Sequence, residues 1–322
     1  MQCDERRESK RRSRAWVSAI LATLLVSAGA ADCFGRALDC PDIPKSNPDS
    51  SPIEPASQSF RDEDWAVERA AKITEQLKNR ATLRRTNVLF VGDSITQFWT
   101  TDGQDVWQRS FEDPRSDFRG LDLGFAGDRT ENLLFHLLPR ACGGDGYLDD
   151  PSLNPEIIVL MIGINNTWKT SGLTVERIVA GNMAIIVRIR QLRPRAALIV
   201  QSLLPAQTIE HVEQFVVPIN QQLRPLVESL GPDVHWLDLY PLFVSQIGAP
   251  SSSLFRDGVH PNADGYAVWA PKLVEVLQAI RSKRPATGDR RPAVHTTLSE
   301  QRLGRVSEIR RPKIVRRVPI AA

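Results

Sequence analysis

The chain has 322 residues, 42% of them hydrophobic and 25% charged, which are the proportions of an ordinary globular protein with enough length for a sizeable core. Its formal charge of +3 conceals an acidic body: residues 1–14 carry 6 Lys/Arg against 3 Asp/Glu and residues 281–322 carry 12 against 3, so the stretch between them is −9. That body gives no electrostatic footprint for nucleic acid, and with no C-x-x-C pair or H-E-x-x-H in the chain no metal and no other cofactor is expected.

From the amino end, "RRESKRRSR" precedes the apolar "AWVSAILATLLVSAGA", and Ala28-Gly29-Ala30 supplies small residues for cleavage. A basic stretch, a short apolar stretch and small residues predict a signal peptide over 1–30 and export to a periplasmic or extracellular space. Ala15 to Ala30 is too short for a membrane span of about 20 residues. Arg11-Arg12 admits twin-arginine export, so the route stays open. An oxidising destination predicts a Cys33–Cys40 bridge, with Cys142 left as an odd thiol. Residues 31–60, rich in Pro and Ser, read as a linker.

From residue 61 the pattern becomes helical, with Trp65, Ile73 and Leu77 spaced to face a core. Short apolar runs then alternate with helical stretches. The runs fall at 87–92, 120–124, 156–163, 196–205 and 233–239. The helical stretches fall at 95–109, 129–139, 174–192, 210–230 (interrupted by Pro218 and Pro225) and 263–280 (with a kink at Pro271). Nearly continuous apolar runs suit strands buried on both faces, and their alternation with helices predicts a single α/β domain over 61–280, doubly wound around a parallel sheet. The arginine- and proline-rich remainder, 281–322, reads as a disordered basic tail able to contact anionic envelope material.

Chemistry gathers where strands of such a sheet end. "VLFVGDSITQFW" closes the first run in a Gly-Asp-Ser corner, which places Ser94 at a helix start. A serine needs a base, and "FRDGVHPNADGY" offers His260 with Asp257 three residues earlier, able to hold one imidazole nitrogen. The other four histidines lack an acid arranged in that way; His136 and His235 read as core or surface residues inside a helix and a strand. An oxyanion needs donors: the backbone N–H of Ser94, that of Gly127 in "LGFAGDRT", and the Asn165 amide in "MIGINNTW". Trp99, Phe125 and Trp168 are candidates for lining a substrate pocket.

With these blocks in order, "GDSIT", "GFAGDRT", "GINN" and "DGVH", the sequence resembles the SGNH (GDSL-like) hydrolases over most of 60–280. "LFVGDSITQFW", "GDRTENLLFHL" and "INNTW" look most like the branch containing the platelet-activating-factor acetylhydrolase catalytic subunits. The resemblance implies a flavodoxin-like three-layer α/β/α sandwich with a five-stranded parallel sheet. It also implies Ser94 as nucleophile, His260 as base, Asp257 as its orienter, and Ser94, Gly127 and Asn165 as the oxyanion hole. One departure is "CGGDGYLDDPSLN" (142–154), longer than the connection in that branch and expected to alter the rim of the site. The activity the resemblance implies is hydrolysis of a carboxylic ester of a short-chain acyl or acetyl group, carried on a small molecule, glycan or lipid. Acyl transfer to a sugar, a lysophospholipase-type reaction and a silent binding domain are the alternatives.

Overall fold

The computed structural model describes Cys40 and residues 53–55, 64–168, 172–245 and 250–283. The expected signal peptide, most of the expected linker and all but three residues of the expected tail lie outside the described residues. In chain order the elements are α1 (Asp64–Lys78), α2 (Arg80–Arg85), β1 (Val88–Gly92), α3 (Ser94–Gln97), α4 (Gln104–Trp107), β2 (Gly120–Asp122), α5 (Thr130–His136), β3 (Ile157–Met161), α6 (Val175–Leu192), β4 (Ala197–Gln201), α7 (Ile209–His211), α8 (Val217–Glu228), β5 (Val234–Leu237) and α9 (Ala263–Lys283).

The five strands form one sheet in the order β2-β1-β3-β4-β5, and every neighbouring pair is parallel. That is the flavodoxin-like order, in which the successive strands β2 and β3 are added on opposite sides of β1, leaving a crevice between β1 and β3 beyond their carboxyl ends. Every residue of β1, β3 and β4 is buried, as continuous apolar strands covered on both faces require. Helices α5, α6 and α8 pack in sequence against one another, and α9 packs on α4. The doubly wound α/β fold expected from the strand–helix alternation, and the α/β/α sandwich that the resemblance implies, are what is observed.

Three local readings differ. The stretch expected as one helix over 95–109 is broken into α3, a 3-10 turn over Phe98–Thr100, α4 and a π-turn over Gln108–Glu112. Thr100, Thr101, Asp102 and Gly103 are poor helix formers, and Gly103 lies directly against the Tyr266 ring, where a Cβ has no room. In α1 the inward face is Ala66, Arg69, Ile73 and Leu77, while Trp65 is 44% exposed. Arg69 goes inside because it has work there: its guanidinium donates to Gly124 O at 2.7 and 2.9 Å and to Asp122 O at 3.2 Å, beside the Asp122 carboxylate at 3.5 Å. Burial pushes the Asp122 carboxyl up to about 6, against the pull of Arg69. Trp99, expected at the pocket, is instead fully buried at the centre of an aromatic cluster with Phe90, Trp107, Phe111, Tyr266 and Trp269.

The cysteine pairing also differs. Cys40 is bonded to Cys142, 102 residues away, with Cα atoms 5.2 Å apart. Sequence proximity favoured Cys33, which lies outside the described residues; the fold instead brings the 140–142 turn to Cys40. A cross-link closing so long a loop restricts the unfolded chain strongly. Cys142→Ser should therefore lower unfolding free energy by about 2–4 kcal/mol in denaturant titrations, whereas unchanged stability would mean that this bridge does not form.

Candidate active site

β1 ends at Gly92, where a Cβ would run into Met161 O of the neighbouring strand and Thr96 Oγ1. Glycine alone permits this tight exit. Asp93 then caps α3, its Oδ1 accepting the Ile95 N–H at 3.0 Å, which leaves Ser94 as the first helical residue beyond the sheet edge. The Ser94 hydroxyl is 2.8 Å from His260 Nε2, and His260 Nδ1 is 2.8 Å from Asp257 Oδ2. With Nδ1–H donating to the carboxylate, Nε2 is the acceptor for the Ser94 hydroxyl proton.

Asp257 is fixed by its own loop. Its Oδ1 accepts the Val259 and His260 N–H groups at 3.1 and 2.9 Å, and the loop closes through Arg256 N–H on His260 O at 2.8 Å. Burial pushes the Asp257 carboxyl up, but the hydrogen bonds from His260 and Val259 and the adjoining imidazole outweigh it and hold the group at about 2. Outside the loop, Arg256 donates from Nη1 to both carboxylate oxygens of Asp102 at 2.9 and 3.1 Å and lies over the Phe98 ring, which meets the His260 ring edge-on at 5.0 Å between centroids. Arg256, Asp102 and Phe98 were not read from the sequence as site residues; only the adjacency of Arg256 to Asp257 hinted at them.

The donor side is built from two turns. Gly127 has φ +74 in a β-turn closed by Asp128 N–H on Phe125 O at 3.1 Å, and Ala126 N–H donates to Gln97 Oε1 at 2.8 Å. The turn does not use the Gly127 N–H itself. Asn165 stands in a 3-10 turn after β3, where its Nδ2 donates to Asp128 O at 2.8 Å and its Oδ1 accepts the Trp168 Nε1–H at 3.1 Å. Those two partners fix the amide's orientation and leave one Nδ2 hydrogen for a ligand. Trp168, named from the sequence as a candidate pocket residue, is half-buried, stacked near His211 at 5.5 Å, and holds Asn165, three residues before it, through its Nε1–H. Phe125 is buried, with its N–H on Gly92 O at 2.9 Å and its ring stacked on His136, and it lines a cavity of about 190 Å³ with Ala66, Val67, Ala70 and Asp128.

The 142–154 segment, expected at the rim, packs behind the donor turn. Tyr147, Leu148 and Leu153 are buried, and Arg193 ties the segment down through Leu148 O and Leu153 O at 2.7 and 3.0 Å. Among the described residues no group of His, Cys, Asp and Glu has the arrangement of a metal site.

Residues 90–268, more than half of the chain, match the model of the GDSL-like Lipase/Acylhydrolase family. The chain belongs to that family. It is 29% identical over 202 residues to the platelet-activating factor acetylhydrolase IB subunit alpha1 of Pongo abelii, covering 62% of this chain and 79% of that protein. The Homo sapiens protein of the same name is 28% identical over the same shares of both chains. A GDSL-like lipase from Bacteroides thetaiotaomicron is similar in structure with a TM-score of 0.48 at 18% identity, covering 66% of this chain and 98% of that one. The chain is thus an ester-bond hydrolase of the GDSL-like, SGNH type with platelet-activating-factor-acetylhydrolase-like relatives.

Two outcomes follow from this geometry. Trp168→Phe keeps the ring but removes the donor that orients Asn165, so kcat should fall by roughly 10-fold in a folded variant; an unchanged kcat would show that Asn165 needs no such partner. The depressed Asp257 carboxyl contributes stability above its ordinary value near pH 4, lost as pH falls toward about 2. Asp257→Asn should flatten that part of the stability-versus-pH curve, measured by thermal unfolding, and an identical acid limb would contradict the shift.

Proposed function

We propose that this chain is an exported serine esterase acting on short-chain acyl esters through a Ser94–His260–Asp257 triad. The observation that carries the reading is the unbroken run of two 2.8 Å contacts from Ser94 Oγ through the His260 ring to the Asp257 carboxylate. Ser94 Oγ attacks the ester carbonyl carbon while its proton passes to His260 Nε2. The imidazolium so formed is balanced by Asp257. The carbonyl oxygen takes the negative charge and is met by the Ser94 and Gly127 N–H groups and the free Nδ2 hydrogen of Asn165. Collapse expels the alcohol, which leaves with the proton from Nε2. Water then repeats the sequence on the acyl-enzyme, releasing the acid and restoring Ser94.

A short acyl group, acetyl foremost, is supported by the similarity to proteins named as acetylhydrolases. Export is supported by the basic and apolar character of 1–30 and by a long-range disulfide, which suits an oxidising compartment. Contact of the basic 281–322 segment with anionic envelope material belongs to the same proposal and rests on its charge of +9.

Kinetics with p-nitrophenyl esters of increasing chain length test both mechanism and acyl preference. The acetyl ester should give the highest kcat/KM, with a steep fall for long chains; a preference for long chains would replace this reading by a lipase-type one. Ser94→Ala and His260→Ala should each abolish nearly all activity, and the double variant should lose little more than either, because the two act as a unit. Losses that multiply in the double variant would mean independent roles and end the triad assignment.

A further inference from the structure

Behind the donor turn, at the carboxyl end of α5, His136 is buried at 2% exposure with an acidic partner on each ring nitrogen. Its Nε2 is 3.0 Å from Asp128 Oδ2 and its Nδ1 is 2.5 Å from Asp145 Oδ2. The ring is stacked flat on Tyr147 at 4.6 Å and lies against Phe125 at 5.4 Å. A neutral imidazole carries one N–H and serves one carboxylate; two carboxylates facing both nitrogens call for the imidazolium. Asp128 is itself 1% exposed, and the positive ring beside it offsets part of the cost of burying a carboxylate.

Asp128 is also the residue through which the donor turn is held. Its N–H closes the turn that presents Gly127, and its carbonyl accepts the Asn165 amide at 2.8 Å. We propose that His136 is a positioning residue for the oxyanion site, fixing Asp128 so that the Gly127 N–H and the Asn165 amide converge on one point. The inference rests on the oxyanion reading of Gly127 and Asn165 given above. His136 never touches the substrate; it acts through Asp128.

Charge state gives this role a signature. Burial pushes the His136 pKa down, but the Asp128 charge and the contacts to Asp128 and Asp145 outweigh it and raise it to about 9. The groups facing the ring are Asp128 from the turn, and Asp145 and the Tyr147 phenol from the following loop. The cavity beside it is lined from α1 by Ala66, Val67 and Ala70, none of them charged, and from α5 by Asn132 and Phe135. The ion pairs are therefore complete well below pH 9 and are lost as pH rises through about 9.

The experiment measures kcat and KM for a small soluble acetyl ester from pH 6 to 10.5, corrected for spontaneous hydrolysis, in the full chain and in Asp145→Asn, His136→Gln and Asn165→Ala. Wild type should lose kcat reversibly above about pH 9 with KM little changed. Asp145→Asn removes one of the two charges that keep the ring protonated, so the fall should move down by on the order of one pH unit. His136→Gln should lose kcat by roughly 10–100-fold at every pH, without that limb, the cost of a small displacement of catalytic groups. A wild type without an alkaline fall, a fall that stays in place in Asp145→Asn, or wild-type kcat in folded His136→Gln overturns the inference. If His136→Gln does not fold, the position of the fall in Asp145→Asn decides. Asn165→Ala separates the two levels: a loss of roughly 10²–10³ in kcat upholds the oxyanion reading whatever the His136 variants do, and no loss removes it together with this inference.

Discussion

The proposed chemistry depends on one long-range contact, the 2.8 Å hydrogen bond that joins Ser94 to His260 across 166 residues of sequence. A hydroxyl at a strand end is inert until a base meets it at hydrogen-bond distance, and that meeting is a tertiary achievement. The sheet delivers Ser94 by way of a glycine exit from β1, which lies between β2 and β3. The 255–261 loop delivers His260, and it is anchored at several points: Phe255 pairs with Pro261, Gln207 N–H donates to Gly258 O at 2.7 Å, and Tyr266 at the start of α9 donates its hydroxyl to Ile95 O at 2.7 Å. The last of these ties the helix that follows His260 to the helix that begins at Ser94.

The other half of the site is a polar lattice around Asp128, Asn165 and Asn166. Asn166 accepts the Thr130 N–H at 3.0 Å and donates to buried Glu131 at 2.9 Å, so the turn after β2 and the turn after β3 are stitched together at the base of α5. Buried polar groups of this kind are costly unless each is paired, and paired they hold a single arrangement. The proposed oxyanion site, with three donors meeting one oxygen, would have a physical reason for being built that way. Arg69 extends the same logic to the far side of β2, where it satisfies the carbonyls of Asp122 and Gly124 just before the turn begins.

Much of this was legible in the residues. The runs at 87–92, 156–163 and 196–205 read as buried strands because a parallel sheet covered on both faces leaves an uninterrupted apolar signal, and β1, β3 and β4 lie within them. The residues at the strand ends and the Asp257–His260 spacing were legible for a local reason: turn chemistry and a three-residue offset are properties of short stretches. What could not be read depended on partners remote in sequence. Trp99 looks the same in sequence whether it lines a pocket or fills a core, and only its five aromatic neighbours decide. Arg69 on an amphipathic helix reads as a solvated cation until the carbonyls it caps are in view. Cys142 needed the fold to meet Cys40, and His136 needed Asp128 and Asp145 on either side of its ring.

The central claim, that Ser94 is the covalent nucleophile, is tested most directly by trapping it. The full chain is treated with a fluorophosphonate, which phosphonylates an activated serine and expels fluoride, and the intact mass and the modified peptide are then read by mass spectrometry. The account predicts one adduct per chain, located on Ser94, and none in His260→Ala under the same conditions because the base that takes the hydroxyl proton is gone. An adduct on another serine, or no adduct in an active preparation, would contradict it.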